Sequence, residues 1–263
     1  INIVTRSGKS VGGTEAMLGW RDRQATRDTR LSWGGRLDNG VDLLVSASAM
    51  RSRGEDRFYD YGAAGVSGVA AGLDGNRDDE FFLRAARGPW SFDFAWGNWK
   101  KDDPSGAYQA DPLVPGQYQG DRYALSQLQY QDRLADGKLD LLARAFAGQE
   151  HYSSTLVYGT PFDFPTHGHW QGIELRLLTL ALDQHKLMVG VEAMRTTRAE
   201  QSARDRAEPA NDLVIRGSRR GTGLYVQDEW QIAPTLNLTY GLRLDDNNIT
   251  GTKTSPRTAL IWQ

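Results

Sequence analysis

The sequence predicts an all-β protein whose antiparallel strands follow the up-and-down plan of an outer-membrane β-barrel. Three observations support this: apolar and polar residues alternate, tight turns alternate with long polar loops, and tryptophans gather at strand ends. From Trp90 to Gly97, for example, aromatic residues occupy every second position, with Ser, Asp, Ala and Gly between or after them. Alternation with a period of two is typical of a strand that has one apolar and one polar face.

About twelve segments show this alternation, and helical spacing appears nowhere at comparable length. Many of them reach the ~9–11 residues that a tilted membrane-spanning strand requires. The predicted strands lie near residues 13–20, 26–36, 41–51, 80–88, 90–100, 122–134, 138–149, 169–182, 186–197, 221–232, 235–246 and 256–263.

The connections between these segments alternate in length. Tight turns with turn-forming residues lie at 38–40, 87–89, 135–137, 183–185 and 233–235. Long polar stretches lie near 52–79, 101–121, 150–168, 198–220 and 247–255, and only the link at 21–25 is short on that side. Short turns at one end and long loops at the other are the plan of an outer-membrane barrel.

The tryptophans agree with this plan. Trp33, Trp90 and Trp230 lie nearer the short turns, whereas others lie at the long-loop ends, namely Trp20, Trp96, Trp99 and Trp170. Amphipathic rings at both ends of a spanning strand form the two interfacial girdles of such a barrel.

Composition excludes several other classes. The 263 residues carry 31 basic and 33 acidic side chains, so the net charge of -2 gives no signature of nucleic-acid binding. With no Cys, disulfides, thiolate metal sites and cysteine nucleophiles are absent. No run approaches the ~18 apolar residues of a membrane helix. The opening residues show no basic segment or apolar core of a targeting signal.

No catalytic motif is present, so we expect no enzyme, no catalytic residue and no cofactor. The four histidines lie in predicted loops and a turn. His167 and His169 could ligate haem iron or another metal, but no further haem motif accompanies them, and no metal site is expected.

Two stretches resemble TonB-dependent outer-membrane receptors. Residues Ile1–Gly8 resemble the last strand of the plug domain, which in that family leads directly into the first barrel strand, here at about Gly13. Residues Gly223–Trp230, followed by Pro234, Leu236 and Tyr240–Asp245, resemble a mid-barrel hairpin of the same receptors, and the Ser-Pro-Arg run that begins at Ser255 opens the next strand. The resemblance covers essentially the whole chain in order.

This resemblance implies a 22-stranded barrel with a plugged lumen. The chain would then be a fragment, with a plug remnant at residues 1–10 and the N-terminal half of the barrel at 11–263. Its implied function is energised uptake of a scarce ligand across the outer membrane of a Gram-negative bacterium. A ferric siderophore is the default ligand, with cobalamin, haem or a carbohydrate as rivals. The implied partners are the TonB complex, through a segment outside this chain, and outer-membrane lipid; no nucleic acid is expected.

The same interpretation assigns roles to polar residues. On the strands, one set would line the lumen and hold the plug: Asp93, Arg144, Glu174, Arg176, Glu192, Glu229 and Arg243. In the long loops, candidate ligand-binding residues are Tyr59, Tyr61, Tyr118, Tyr152, His167 and His169.

Two other architectures stay open at this point. A self-contained twelve-stranded pore or barrel enzyme would pair its first strand, near residue 15, with its last, near residue 260. A soluble carbohydrate-binding or structural β-protein would instead shield Trp90, Phe92, Phe94 and Trp96 in a core and stay in water without detergent.

Overall fold

A computed structural model describes residues 5–62 and 65–263. Twelve long strands form one antiparallel sheet in which neighbours in the chain are neighbours in the sheet. A short strand, β10, lies between β9 and β12 beyond the end of β11, and β4 and β5 form a separate small hairpin. The strands are β1 Gly13–Arg21, β2 Thr26–Arg36, β3 Asp42–Ser52, β4 Phe58–Asp60, β5 Ser67–Val69, β6 Asn76–Arg87, β7 Trp90–Asp102, β8 Tyr118–Leu134, β9 Leu139–Tyr158, β10 Thr160–Asp163, β11 Thr166–Thr179, β12 His185–Asp205, β13 Leu213–Ala233, β14 Leu236–Asn247 and β15 Gly251–Trp262.

All twelve predicted strands are confirmed, and the larger errors in their bounds lie at the long-loop end. β9 continues to Tyr158 rather than ending near 149, β12 continues to Asp205, and β13 already begins at Leu213. The predicted loops at 150–168 and 198–220 are therefore largely strand. Apolar alternation marks only the part of a strand that has one face in an apolar medium, so it fades where both faces meet water although the backbone still pairs.

The five predicted tight turns are confirmed, and their backbones explain their sequences. Ala135, Asp136 and Gly137 have φ of 51°, 56° and 85°, and Gly40 and Gly88 also have positive φ. Short hairpin turns need such left-handed residues because their twist matches that of the flanking strands.

The sheet has two free edges among the described residues. There, β1 pairs only with β2, and β15 pairs only with β14. The ladder that a closed twelve-stranded barrel requires is thus absent from these residues, and the observed sheet is the partial barrel that the sequence predicts. Within the described part of the chain, no helix is long and apolar enough to cross a membrane.

The two faces of the sheet differ in chemistry. Directly opposed residues lie on the same face, and the ladder places Phe94 with Leu83, and Leu128 with Phe92. We call this side the outer face and the opposite side, with Asp93 and Arg144, the inner face. Large apolar residues remain exposed along the outer face, among them Leu31, Phe92, Leu128, Ile173, Leu175, Leu224, Val226, Leu242 and Leu244. An apolar wall of this kind matches a lipid-facing surface.

The tryptophan girdles need one correction. Trp20, Trp33, Trp90, Trp96 and Trp230 lie on the outer face by register. Trp99 and Trp170 lie on the inner face, opposite Asp121 and Gly148 respectively. Side chains alternate along a strand, so Trp96 and Trp99 cannot share a face.

Residues 5–12 lie against the inner face at the short-turn end. Gly8–Val11 form one helical turn, α1, which Ser7 and Ser10 cap reciprocally. The Gly8 and Lys9 amides donate to the Asp42 carboxylate at 2.6 and 2.8 Å. The predicted plug strand over residues 1–8 is therefore not strand at residues 5–8, because the capping box and the Asp42 carboxylate favour a helical turn there; residues 1–4 lie outside the described residues. β1 begins at Gly13 as predicted.

Candidate functional site

The seven predicted lumen residues share the inner face of the sheet. Glu174 lies directly opposite both Arg144 and Glu192, and Arg243 lies opposite Tyr225, which itself lies opposite Gly190 on the same face as Glu192. The full set on this face is Asp93, Arg144, Glu174, Arg176, Glu192, Glu229 and Arg243. The alternation in the sequence therefore predicted correctly that these seven charged residues share one face of the sheet.

Ion pairs join several strands across this face. Arg84 Nη1 donates to the Asp93 carboxylate at 2.8 Å, which links β6 to β7. Arg144 pairs with Glu174, linking β9 to β11. Arg243 of β14 reaches across β13 to pair with Glu192 of β12 and pairs, at 2.8 Å, with Asp245 of its own strand. These partners are only partly exposed, so their hydrogen bonds are less screened than those of surface pairs.

Arg84 is a functional candidate that the sequence analysis did not identify. Besides pairing with Asp93, it donates to the Thr5 hydroxyl at 3.2 Å, which ties the N-terminal segment to the wall. The sequence does contain a feature that locates Arg84. The tight turn at 87–89 sets Arg87 opposite Trp90, so Arg84 must lie opposite Asp93. Hairpin register, rather than composition, locates it.

Two other members of the set have different surroundings. Lys186 Nζ donates to Glu229 at 3.0 Å near the short-turn end. Arg176 lies beside Tyr225 and Met188 in a cavity of about 290 Å³ and makes no ion pair with any described residue.

Inner-face aromatic rings lie over glycines of adjacent strands. A Cβ added to Gly190 would overlap the Tyr225 ring, and one added to Gly172 would overlap the Phe146 ring. Arg243 lies 5.6 Å from the centre of the Tyr225 ring, and Arg144 lies 5.4 Å from that of Phe146. Ring, glycine and guanidinium therefore pack as a unit, and the absence of a glycine side chain is what makes room for the ring.

The inner face is acidic towards the long loops. Asp78 lies opposite Trp99, which lies opposite Asp121, and Glu80 lies opposite Gly97, next to Tyr123 and then Glu150. Among the described residues these four carboxylates make no ion pair. A surface of this charge attracts cations and disfavours strongly anionic ligands.

Tyr59 and Tyr61, two of the predicted ligand-binding residues, are stacked with ring centres 5.7 Å apart. The Tyr61 hydroxyl donates to the Pro104 carbonyl at 3.1 Å, which joins the first long loop to the second. Burial raises the pKa of Tyr61, and the neighbouring Tyr59 and Asp103 raise it further. Both rings thus take part in loop packing.

Tyr152 and Tyr118 lie on opposite faces. Tyr152 lies on the inner face, and its hydroxyl donates to Gln119 Oε1 at 3.1 Å. Tyr118 lies on the outer face, where Lys100 Nζ is 4.0 Å from the centre of its ring. Of the two, only Tyr152 lies on the inner face.

The structure pairs His167 with His151 rather than with His169. The two rings stack on adjacent strands, with their Nδ1 atoms 3.1 Å apart. His169 lies two positions along the same outer face, opposite Gln149. The pair lies beyond the predicted spanning segments. Burial lowers the pKa of His167, and the adjacent His151 and Arg198 lower it further.

The long-loop ends of β9, β10 and β12 are joined by polar contacts. Arg206 donates two hydrogen bonds of 2.7 Å to the Asp163 carboxylate, and Thr155 adds a third at 2.7 Å. The hydrogen bonds from Arg206 hold the pKa of Asp163 below its usual value, against the effect of burial. Nearby, buried Gln117 bridges the second loop to β9 by accepting from the Val157 amide at 2.8 Å.

Comparison with known proteins identifies the family. The sequence model described as "TonB dependent receptor-like, beta-barrel" matches residues 60–263. No curated protein gives a significant sequence match.

Solved structures share the fold at low identity. The ferric yersiniabactin uptake receptor FyuA from Yersinia pestis gives a TM-score of 0.64 at 17% identity over 94% of this chain and 43% of its own. The ferric-catecholate import receptor Fiu from E. coli gives 0.67 at 10% identity, over 94% of this chain and 45% of its own. The ferric citrate transporter FecA gives 0.62 at 18% identity, over 90% and 38%.

The chain therefore spans less than half the length of these structures. Its twelve-stranded sheet corresponds to part of their fold. The chain belongs to the family of TonB-dependent receptor β-barrels, which are outer-membrane proteins of Gram-negative bacteria.

Proposed function

We propose that this chain forms part of the wall of a TonB-dependent receptor that imports a ferric chelate across the outer membrane. The observation that carries the proposal is the inner face, where cross-strand ion pairs meet the N-terminal segment. Arg84 contacts Thr5, and Asp42 binds the backbone amides of α1. A polar wall that already holds a segment inside the barrel is what a plugged lumen requires.

The position of residues 5–12 supports the domain division, with a plug end at residues 1–10 and barrel wall from 11 onward. Gly34 makes room for α1, because a Cβ there would overlap the Gly8 carbonyl and Val11. Leu44, beneath α1, is only 5% exposed. In the proposed receptor the plug would begin its contact with the barrel here, and the TonB complex would act on plug residues outside this chain.

Four carboxylates at the long-loop end of the inner face, which we call the acidic mouth, suggest the charge of the ligand. Asp78, Glu80, Asp121 and Glu150 face the lumen side without a cationic partner among the described residues. Such a wall disfavours a trianionic chelate and favours one with little or positive charge. We therefore propose a ferric hydroxamate type of chelate over a ferric tris-catecholate. Tyr152 and, in the loops, Tyr59 and Tyr61 are the aromatic candidates for ligand contact.

The test is iron-limited growth. The complete receptor is expressed in a Gram-negative host that lacks its own ferric-chelate receptors, with TonB present or deleted. The probes are a cationic ferric trihydroxamate, a trianionic ferric tris-catecholate, ferric citrate, haem and cobalamin. We expect TonB-dependent growth or uptake with the trihydroxamate. Growth with the tris-catecholate alone would overturn the charge argument, although the chain would still be part of a receptor for a ferric chelate. Uptake that persists without TonB would overturn the proposed mechanism.

The acidic residues provide a matched comparison. In the Asp78→Asn/Glu80→Gln receptor, uptake of the cationic chelate should fall about tenfold at low salt, because two charges of the mouth are removed. Asp38→Asn/Asp136→Asn changes the same charge in the short turns at the opposite end and should leave uptake unchanged. Equal effects of both double variants would contradict a local role of the mouth.

A further inference from the structure

A row of basic residues crosses the outer face at the long-loop end of four adjacent strands. Arg27 of β2 lies directly opposite Arg51 of β3, Arg51 opposite Arg77 of β6, and Arg77 opposite Lys100 of β7. Trp20 of β1 lies opposite Arg27 and extends the row. We call these four cations the basic row.

The basic row continues the apolar wall. Arg27 shares the outer face of β2 with Leu31 and Trp33, and Lys100 shares that of β7 with Phe94 and Trp96. Moving from the centre of the sheet towards the long loops, the outer face of β2 changes from Leu31 through Thr29 to Arg27, and that of β7 from Phe94 and Trp96 through Asn98 to Lys100. A surface with this order matches lipid tails, the interface and then charged headgroups.

Only two of the four charges of the basic row are paired with a carboxylate within the described part of the chain. Arg51 pairs with Asp79, and Lys100 lies 3.6 Å from Asp102. Arg27 and Arg77 make no ion pair with a described residue, although Arg27 lies 5.2 Å from the centre of the Trp20 ring. Four cations against two carboxylates leave an excess of two positive charges.

A cavity lies along the basic row. Its volume is about 620 Å³, and its lining includes Trp20 and all four cations, namely Arg27, Arg51, Arg77 and Lys100. The inner face of the same strand ends is acidic instead, with Asp78 next to Arg77 and Asp121 opposite Trp99. The inner-face cation at the end of β7, Lys101, pairs with Asp74, so the unpaired basic charge at these strand ends lies on the outer face.

We propose that the basic row binds the phosphate groups of a phosphorylated lipid in the outer leaflet, with the acyl chains lying along the apolar wall below. Guanidinium groups suit this ligand because their planar donors bind phosphate oxygens in pairs. Two adjacent phosphates would match the excess charge. The exposed Trp20 ring, at the end of the row, would contact the headgroup and the upper part of the acyl chains. This site is separate from the proposed transport path, which lies on the other face.

Native mass spectrometry of the complete receptor in detergent tests the proposal, with purified bisphosphorylated lipid A as the probe. We expect at least tenfold weaker binding by the Arg27→Gln/Arg77→Gln variant, and by the intact receptor towards lipid A from which both phosphates were removed. Arg87→Gln/Arg133→Gln removes the same charge at the short-turn end and should bind like the intact receptor. Arg27→Lys/Arg77→Lys should restore much of the binding.

Retained resistance of the folded barrel to detergent at room temperature shows that each variant is folded. If Arg27→Gln/Arg77→Gln does not fold, the lysine pair and the dephosphorylated lipid still decide the matter. Equal binding of the two lipids, or equal binding by the glutamine variant and the intact receptor, would overturn the proposal. Full competition by inorganic phosphate at a concentration equal to that of the lipid would also overturn it, because the site would then be one for a free anion. Transport assays are not involved, so these outcomes are independent of the proposed uptake function.

Discussion

At the scale of single residues, the glycines under the inner-face rings control how tightly adjacent strands pack. Gly190→Val would place a branched side chain where the Tyr225 ring now lies. Because overpacking of this kind forces shifts of ring and backbone, we expect a loss of about 1–3 kcal/mol of stability. Gly217→Val is the control, since nothing lies within 4 Å of an added Cβ there. Thermal unfolding of the detergent-solubilised receptor measures both; equal shifts would contradict the packing argument.

Arg84 connects the N-terminal segment to the wall, so its removal should release that segment. In Arg84→Met the hydrogen bond to Thr5 and the ion pair with Asp93 are lost together. We expect faster backbone hydrogen exchange at residues 5–12, with little change in the strands of the sheet. Arg87→Met, on the same strand but the outer face, should leave exchange at residues 5–12 unchanged. Unaltered exchange in Arg84→Met would show that the Asp42 contacts suffice.

Individual residues also show where sequence reasoning ends. The alternation correctly placed Asp93, Arg144 and Glu174 on one face, because a period of two fixes the side of each residue. It could not explain Asp228, which falls in the apolar row between Val226 and Trp230. The structure shows why a carboxylate is tolerated there: Tyr240 donates to it at 2.9 Å, and His185 Nδ1 lies 2.6 Å away. Both partners come from other strands, so only the ladder reveals them.

At the scale of elements, the long-loop ends of β9, β10 and β12 depend on an ionised carboxylate. The folded-state pKa of Asp163 is lowered, chiefly by hydrogen bonds from Arg206. Its contribution to stability is therefore fully present above the unfolded value of ~3.9 and is lost as the pH falls through the folded value. We expect backbone exchange at 160–163 and 206–212 to accelerate below about pH 4. In Asp163→Asn this acceleration should disappear, with faster exchange already at pH 7.

The same elements show why strand lengths were underestimated. Apolar alternation stops near residue 149, but β9 pairs with its neighbours as far as Tyr158, where side chains such as Gln117 and Asp163 supply the contacts. These contacts join residues that are far apart in the sequence, so no local sequence pattern predicts them. Likewise, the pairing of His167 with His151 follows from the register of β11 against β9, whereas spacing alone suggested His169.

At the scale of the whole molecule, the assignment of the two faces to lipid and lumen makes opposite predictions for neighbouring residues. Leu128, at the middle of β8, lies on the outer face and is 46% exposed, whereas Gln129 lies on the inner face opposite Arg144. Leu128→Arg should cost ~2–4 kcal/mol in a bilayer, because a charge at mid-depth must lose its hydration. Gln129→Arg keeps its charge in the polar lumen and should cost well under half as much. Equilibrium folding of the complete receptor into phosphatidylcholine vesicles measures both changes. Comparable losses for the two variants would mean that the outer face is not in contact with lipid, and the placement of the basic row at the headgroups would fall with it.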